Sequence, residues 1–315
     1  MIIRTVNTRA GRRRIWAPVL AGALALALAA CSGSSGASTS SAAPAADGPV
    51  QVLASTNVWG DVVEQVGGEH VAVSSVISDP SADPHAFQSN ARDQLALAKA
   101  ALVVENGGGY DDFMKTMLAS AASTAPVINA VEVSGISAVA GELNEHVWYD
   151  LPTVGKVADA IAAELSTIDP ANASTFATNA AAFTKSLTDL SAQVEQIKAT
   201  HAGTAVAITE PVPLDLVEAA GLANVTPEEF SAAIENETDV PAGVMDQTLK
   251  LFTDKQVAVL VVNEQTTGPQ TEAVVNAATA AGIPVVSVTE TLPDGQDYLS
   301  WMQANIQALA QALGG

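Results

Sequence analysis

Four side chains, His85, His146, Glu210 and Glu290, combine metal-binding chemistry with positions just beyond predicted secondary-structure elements. His85 lies in the loop Ser81-Ala82-Asp83-Pro84-His85-Ala86-Phe87, and His146 in Asn144-Glu145-His146-Val147-Trp148-Tyr149-Asp150, just ahead of a predicted helix. Glu210 closes an apolar run at 206–209 and precedes Pro211; Glu290 closes the run 285–289 and precedes Thr291-Leu292-Pro293. Two imidazoles and two carboxylates form a nitrogen/oxygen set suited to a divalent first-row metal. No two of them stand at short spacing, so separate loops must deliver each one. Glu264, in Val262-Asn263-Glu264-Gln265, has the same post-strand character and rivals Glu290; spacing does not choose between them. The other histidines read as surface groups: His70 beside Glu69 at a strand start, and His201 at a helix end, where a cation suits the dipole.

The elements that must position these residues follow from the hydropathy pattern. Strands are predicted at 50–55, 70–76, 101–104 and 127–130, with helices at 57–66, 93–100 and 110–121. A helix over 151–165 starts with Pro152 in its first turn and is broken by Asp169-Pro170. Residues 171–199 then run 29 positions without Pro or Gly, and Phe176, Phe183, Leu187, Leu190, Val194 and Ile197 mark one apolar stripe. At about 1.5 Å per residue such a helix is roughly 40 Å long, longer than a small lobe is wide. A second alternating series places strands at 204–209, 257–262 and 284–288 and helices at 212–220, 241–252, 270–281 and 298–313. The expected fold class is α/β: two lobes, each a parallel sheet flanked by helices, joined by one long rigid backbone helix. The corresponding boundaries are a signal peptide at 1–30, a flexible tether at 31–48, an N-terminal lobe at 49–168, a linking helix at 169–200 and a C-terminal lobe at 201–315. Ligands in such sheets sit beyond the carboxyl ends of strands, which is where the candidate residues fall.

Composition narrows the setting. The 315 residues are 48% hydrophobic and 15% charged, which excludes disorder over the whole length. Of 13 basic residues, Arg4, Arg9, Arg12, Arg13 and Arg14 precede residue 31; the remaining eight face all 34 acids, so the rest of the chain carries −26. A body that acidic argues against nucleic acid as a partner. Cys31 is the single cysteine, so neither an intramolecular disulfide nor a cysteine zinc cage can form. The arginines precede an uncharged stretch at 15–30, too short for a comfortable membrane span. Its end, Leu28-Ala29-Ala30-Cys31, resembles the bacterial lipobox, whose cysteine starts the cleaved chain and receives diacylglycerol. A plain secretory signal and a short anchor helix are the alternatives. The Ser/Gly/Ala/Pro-rich segment that follows suits a tether. The expected location is extracytoplasmic, lipid-anchored to the cell membrane through Cys31.

These features together resemble the cluster A-I solute-binding proteins, the zinc- and manganese-binding lipoproteins of bacterial ABC importers. Asp83-Pro84-His85 matches the first-ligand motif, Glu145-His146-Val147-Trp148 the second, and Asp169-Pro170 the entry to the long helix. Thr209-Glu210 falls where a third ligand follows a strand, and Val288-Thr289-Glu290-Thr291, ahead of Tyr298, where the fourth sits. That matching favours Glu290 over Glu264. The resemblance implies Mn²⁺ or Zn²⁺ held between two lobes by His85, His146, Glu210 and Glu290, a membrane permease as partner, and action as a monomer. Glutamate at the third position is the manganese-type choice, and residues 86–145 lack the histidine-rich loop of many zinc members. The fourth ligand is usually aspartate, so Glu290 departs from the pattern. Zinc would nonetheless outbind manganese at most such sites.

The function expected is capture and delivery of the metal rather than catalysis, because four protein ligands leave no open position for a substrate. Asp83, Glu145 and Asp150 are candidates to orient the imidazoles, beside the plain reading that they are solvated acids. Affinity should fall below about pH 6.5, where unperturbed histidine protonates. The alternatives are a secreted metal-dependent hydrolase, although HExxH and GxSxG are absent, and a surface adhesin or organic-solute-binding lipoprotein.

Overall fold

Continuous apolar strands alternating with helices give two parallel sheets. A computed structural model describes residues 48–79, 87–136 and 143–314. The expected signal peptide, Cys31, nearly all of the tether, Asp83 and His85 lie outside these residues. The first half contains β1 (Val50–Thr56), α1 (Asn57–Gly67), β2 (Val71–Ile77), α2 (Ala91–Leu97), β3 (Leu102–Glu105), α3 (Asp112–Ala121), β4 (Val127–Asn129), α4 (Ala130–Ser134) and α5 (Leu151–Ile168). The long helix α6 (Ala173–His201) leads to β5 (Ala205–Ile208), α7 (Leu214–Ala219), β6 (Ala223–Asn224), α8 (Glu228–Glu235), α9 (Ala242–Thr253), β7 (Leu260–Asn263), α10 (Pro269–Ala281), β8 (Val285–Val288) and α11 (Tyr298–Ala312). Strand order is β2-β1-β3-β4 in one sheet and β6-β5-β7-β8 in the other, and every pairing is parallel.

Four elements differ from expectation. The β7 ladder starts at Leu260 rather than at 257, although the Ala258 N–H already bonds the Ala205 carbonyl. The short α4 and α8, and the two-residue β6, were not foreseen from the periodicity. Among the described residues no helix is long and apolar enough to cross a membrane.

The apolar stripe of α6 explains how the two sheets hold together. Phe176, Phe183, Leu187, Leu190, Val194 and Ile197 are all buried along it. They belong to one contiguous core with Val52 and Val104 of the first sheet and Val206, Ile208 and Val261 of the second. A hinge motion that parted the sheets would therefore expose side chains along the entire helix, at about 25 cal/mol per Å². The opposite face of β7, with α8, α9 and α10, buries a separate cluster around Phe230, Phe252, Leu260 and Val274.

Polar contacts add to this junction. The Asn57 side chain, at the start of α1, both accepts from the Leu292 N–H and donates to the Leu292 carbonyl, each at 3.0 Å. One turn on, Asp61 accepts the Tyr298 N–H at 2.9 Å. Burial pushes the Asp61 carboxyl up to about 6, opposed by that N–H and assisted by the charges of Asp297 and Glu64. Between about pH 4 and 6 the folded protein thus holds a proton that the unfolded chain has released, and stability falls as pH climbs through that window. Asp61→Asn keeps an acceptor and removes the titration. Urea unfolding should find the variant more stable by on the order of 1–2 kcal/mol above that window, and equal to the parent below it. Parallel pH profiles for the two proteins would refute this role for Asp61.

Candidate metal centre

His146 is placed by the turn that enters α5. Residues 147–149 form one 3-10 turn, and the Asp150 carboxylate caps α5 by accepting from Thr153 N (3.1 Å) and Thr153 Oγ1 (2.6 Å). Upstream, the Asn106 amide donates to the Glu145 carbonyl at 2.8 Å and accepts from Trp59 Nε1 at 3.2 Å. Asn106 is itself held because its N–H and that of Gly107 both donate to Asp111, at 2.6 and 2.8 Å. Gly107 is required there: its φ is +79°, and a Cβ would stand 2.2 Å from the Asn129 amide. The imidazole that results is fully buried, with Tyr110 and Trp148 against it edge-on at 5.9 and 5.2 Å.

Asn144 engages the ring. Asn144 Oδ1 lies 2.8 Å from His146 Nδ1 and also accepts the His146 backbone N–H at 3.4 Å. Burial pushes the nearby Asp215 carboxyl up to about 6, with the Asp150 charge adding to the rise and the Asn144 amide opposing it. An oxygen at Nδ1 takes the proton of that nitrogen, and in the neutral ring this leaves the lone pair on Nε2, the arrangement of a metal-binding histidine. Asp150 is occupied with capping, and Glu145 contributes its carbonyl to Asn106. Sequence reasoning passed over Asn144, although it stands two residues before His146.

The carboxylates come from the ends of the second sheet. Glu210 follows β5 and is 2% exposed; Glu290 follows β8 and is 3% exposed. Asn263, at the end of the intervening β7, ties Glu290 to the residue before Glu210: its N–H donates to Thr209 Oγ1 at 3.1 Å, and its Nδ2 donates to Glu290 Oε1 at 2.7 Å. Gln265 accepts the Glu290 N–H and donates to Thr291 Oγ1 at 3.0 Å. Glu264, by contrast, is exposed, so burial separates it from Glu290. Carboxylates this buried are costly unless a compensating charge or donors meet them. A further acid that the sequence did not single out, Glu235 at the end of α8, stands 3.5 Å from His146 Nε2 through its Oε1. Among the described residues no group of three or more His, Cys, Asp or Glu side chains is arranged to hold a metal ion.

The histidine turn and the Glu290 loop meet through two tyrosines. Tyr149 Oη donates to the Thr289 carbonyl at 2.8 Å and accepts from Asn305 at 3.4 Å, while Tyr298 Oη donates to the Trp148 carbonyl at 2.6 Å. Burial raises both phenols well above their usual range, so they remain neutral donors.

Residues 52–312 match the family model described as zinc-uptake complex component A, periplasmic. The chain is 31% identical over 172 residues to the manganese-binding lipoprotein MntA of Bacillus subtilis (strain 168), covering 53% of this chain and 56% of that protein. With a second MntA, from Halalkalibacterium halodurans, it shares 27% over 146 residues, 45% of this chain and 47% of the relative. The chain thus spans about half the length of the curated relatives it matches. In fold it is similar to the periplasmic zinc-binding protein TroA of Treponema pallidum, with a TM-score of 0.70, 19% identity and coverage of 84% and 99% of the two chains. The Pseudomonas aeruginosa solute-binding protein FpvC in complex with Mn²⁺ gives a TM-score of 0.70 at 22% identity, with coverage of 84% and 98%.

The tyrosine clamp has a measurable weight. Tyr149→Phe removes the donor to the half-buried Thr289 carbonyl and should lower stability by about 1 kcal/mol in urea unfolding. An unchanged midpoint would mean that the contact contributes nothing.

Proposed function

This chain belongs to the periplasmic zinc-uptake complex component A family, and from that premise we propose that it captures Mn²⁺ or Zn²⁺ outside the cytoplasm and passes it to an ABC permease. The observation that carries the proposal is His146: a buried imidazole with Nδ1 engaged by Asn144 and Nε2 turned toward an acidic lobe. Neutral imidazole and carboxylates are a donor set that suits these metals.

In this reading the lobes are 49–168 and 201–315, with 169–200 between them. His85 and His146 bind from the first lobe; Glu210 and Glu290 bind from the second. The buried positions of Glu210 and Glu290 at the ends of β5 and β8, with Asn263 of the intervening β7 bonded to Thr209 and to Glu290, support their part in it. His85 is assigned by its Asp-Pro-His motif. The metal is cargo, and the protein is a carrier, not an enzyme. Cys31 carries the lipid that keeps it at the membrane, and it acts as a monomer.

Calorimetric titration of the metal-stripped protein should give sub-micromolar binding of Zn²⁺ or Mn²⁺, abolished in His146→Ala and in His85→Ala. Affinity should weaken as pH drops below about 6.5, because the ligating imidazoles must be deprotonated. Failure of the parent protein to bind either metal would end this reading. In cells, the parent should partition into the detergent phase of a Triton X-114 extract and Cys31→Ser into the aqueous phase; identical partitioning would remove the lipid anchor.

A further inference from the structure

We propose that Glu235 is a ligand of the captured metal, and that through it the second lobe closes directly on His146. The inference rests on the metal-carrier reading and adds to it a residue from α8 rather than from a strand end.

The distance is the first argument. Glu235 Oε1 lies 3.5 Å from His146 Nε2, with side-chain exposures of 14% and 0%. A charge-assisted N–H···O bond to an imidazolium would be about 2.7–2.9 Å. Two neighbouring donors bound to one five-coordinate ion, with bonds of about 2.0–2.2 Å, stand roughly 3.0–3.6 Å apart. The observed separation therefore fits two ligands of one cation better than a closed ion pair.

The second argument is the tautomer. With Asn144 Oδ1 taking the Nδ1 proton, a neutral His146 turns a lone pair toward a carboxylate oxygen. Two electron-rich atoms facing each other where water is scarce repel, and a dication between them turns that repulsion into two bonds.

The third argument is placement. A carboxylate in the last turn of a helix faces the negative end of the helix dipole, which disfavours it. Glu235 is nevertheless held there. Phe230 and Ile234 of α8 are buried in the separate C-terminal core. Beyond it the chain turns sharply: Glu237 adopts φ +50°, and the Thr238 N–H closes onto the Ala233 carbonyl at 2.8 Å. A shared cation offsets the dipole cost.

The test uses purified full-length protein stripped of metal and titrated with Zn²⁺ by chelator competition and with Co²⁺ by visible absorption. Glu235→Gln preserves shape and removes the charge; Glu229→Gln, exposed on the same helix, is the control. Glu235→Gln should weaken Zn²⁺ binding by at least about tenfold and alter the Co²⁺ d–d spectrum, with the unfolding midpoint of the metal-free protein retained. The Glu229→Gln control should match the parent in both. Parent-like affinity and spectrum in Glu235→Gln, alongside loss of binding in His146→Ala, would overturn the role of Glu235 and leave the carrier reading intact. Absence of binding in the parent itself would overturn both.

Discussion

A neutral imidazole has a single lone pair to offer, and the structure around His146 decides where it points. Asn144 engages one ring nitrogen, Tyr110 and Trp148 pack against the ring, and the Asn106–Asp111 network holds the backbone from which it hangs. The other nitrogen is thereby committed to the second lobe. Positioning of this kind lets a binding site pay little ordering cost when its ligand arrives. Without it, the same residues would be a loose collection of polar groups on loops.

The second constraint is that the halves cannot part cheaply. One apolar core threads both sheets along α6, and hydrogen bonds from Asn57, Asp61, Tyr149 and Tyr298 cross between them. Each bond alone is worth about 1 kcal/mol, but the shared core makes them act together. This differs from two domains on a flexible linker, where relative motion is the default expectation.

Much of this architecture was legible in the sequence, for physical reasons. Parallel strands buried on both faces leave continuous runs such as residues 260–263, and a helix with one buried face leaves a stripe such as that of α6. The positions of Glu210 and Glu290 followed from the strand ends that precede them. What was missed lacked a periodic signature. The helix α8 has eight residues with only Phe230 and Ile234 as large apolar anchors, too few to define a face. Glu235 at its end was therefore invisible as a site residue. Asn144 was overlooked because its acidic neighbours Glu145 and Asp150 looked like better partners for an imidazole. Only the fold reveals that Asp150 caps α5 and that the Glu145 carbonyl accepts from Asn106. Chemical type proposes candidates; competing local bonds choose among them.

The division of the interior into two cores gives one helix of the second half a footing of its own. Because α8 rests on the smaller cluster around Phe230 and Phe252, and not on the core that α6 shares with both sheets, a slight slide of that one helix separates its terminal acid from the histidine. A shift of α8 would thus leave the larger body undisturbed.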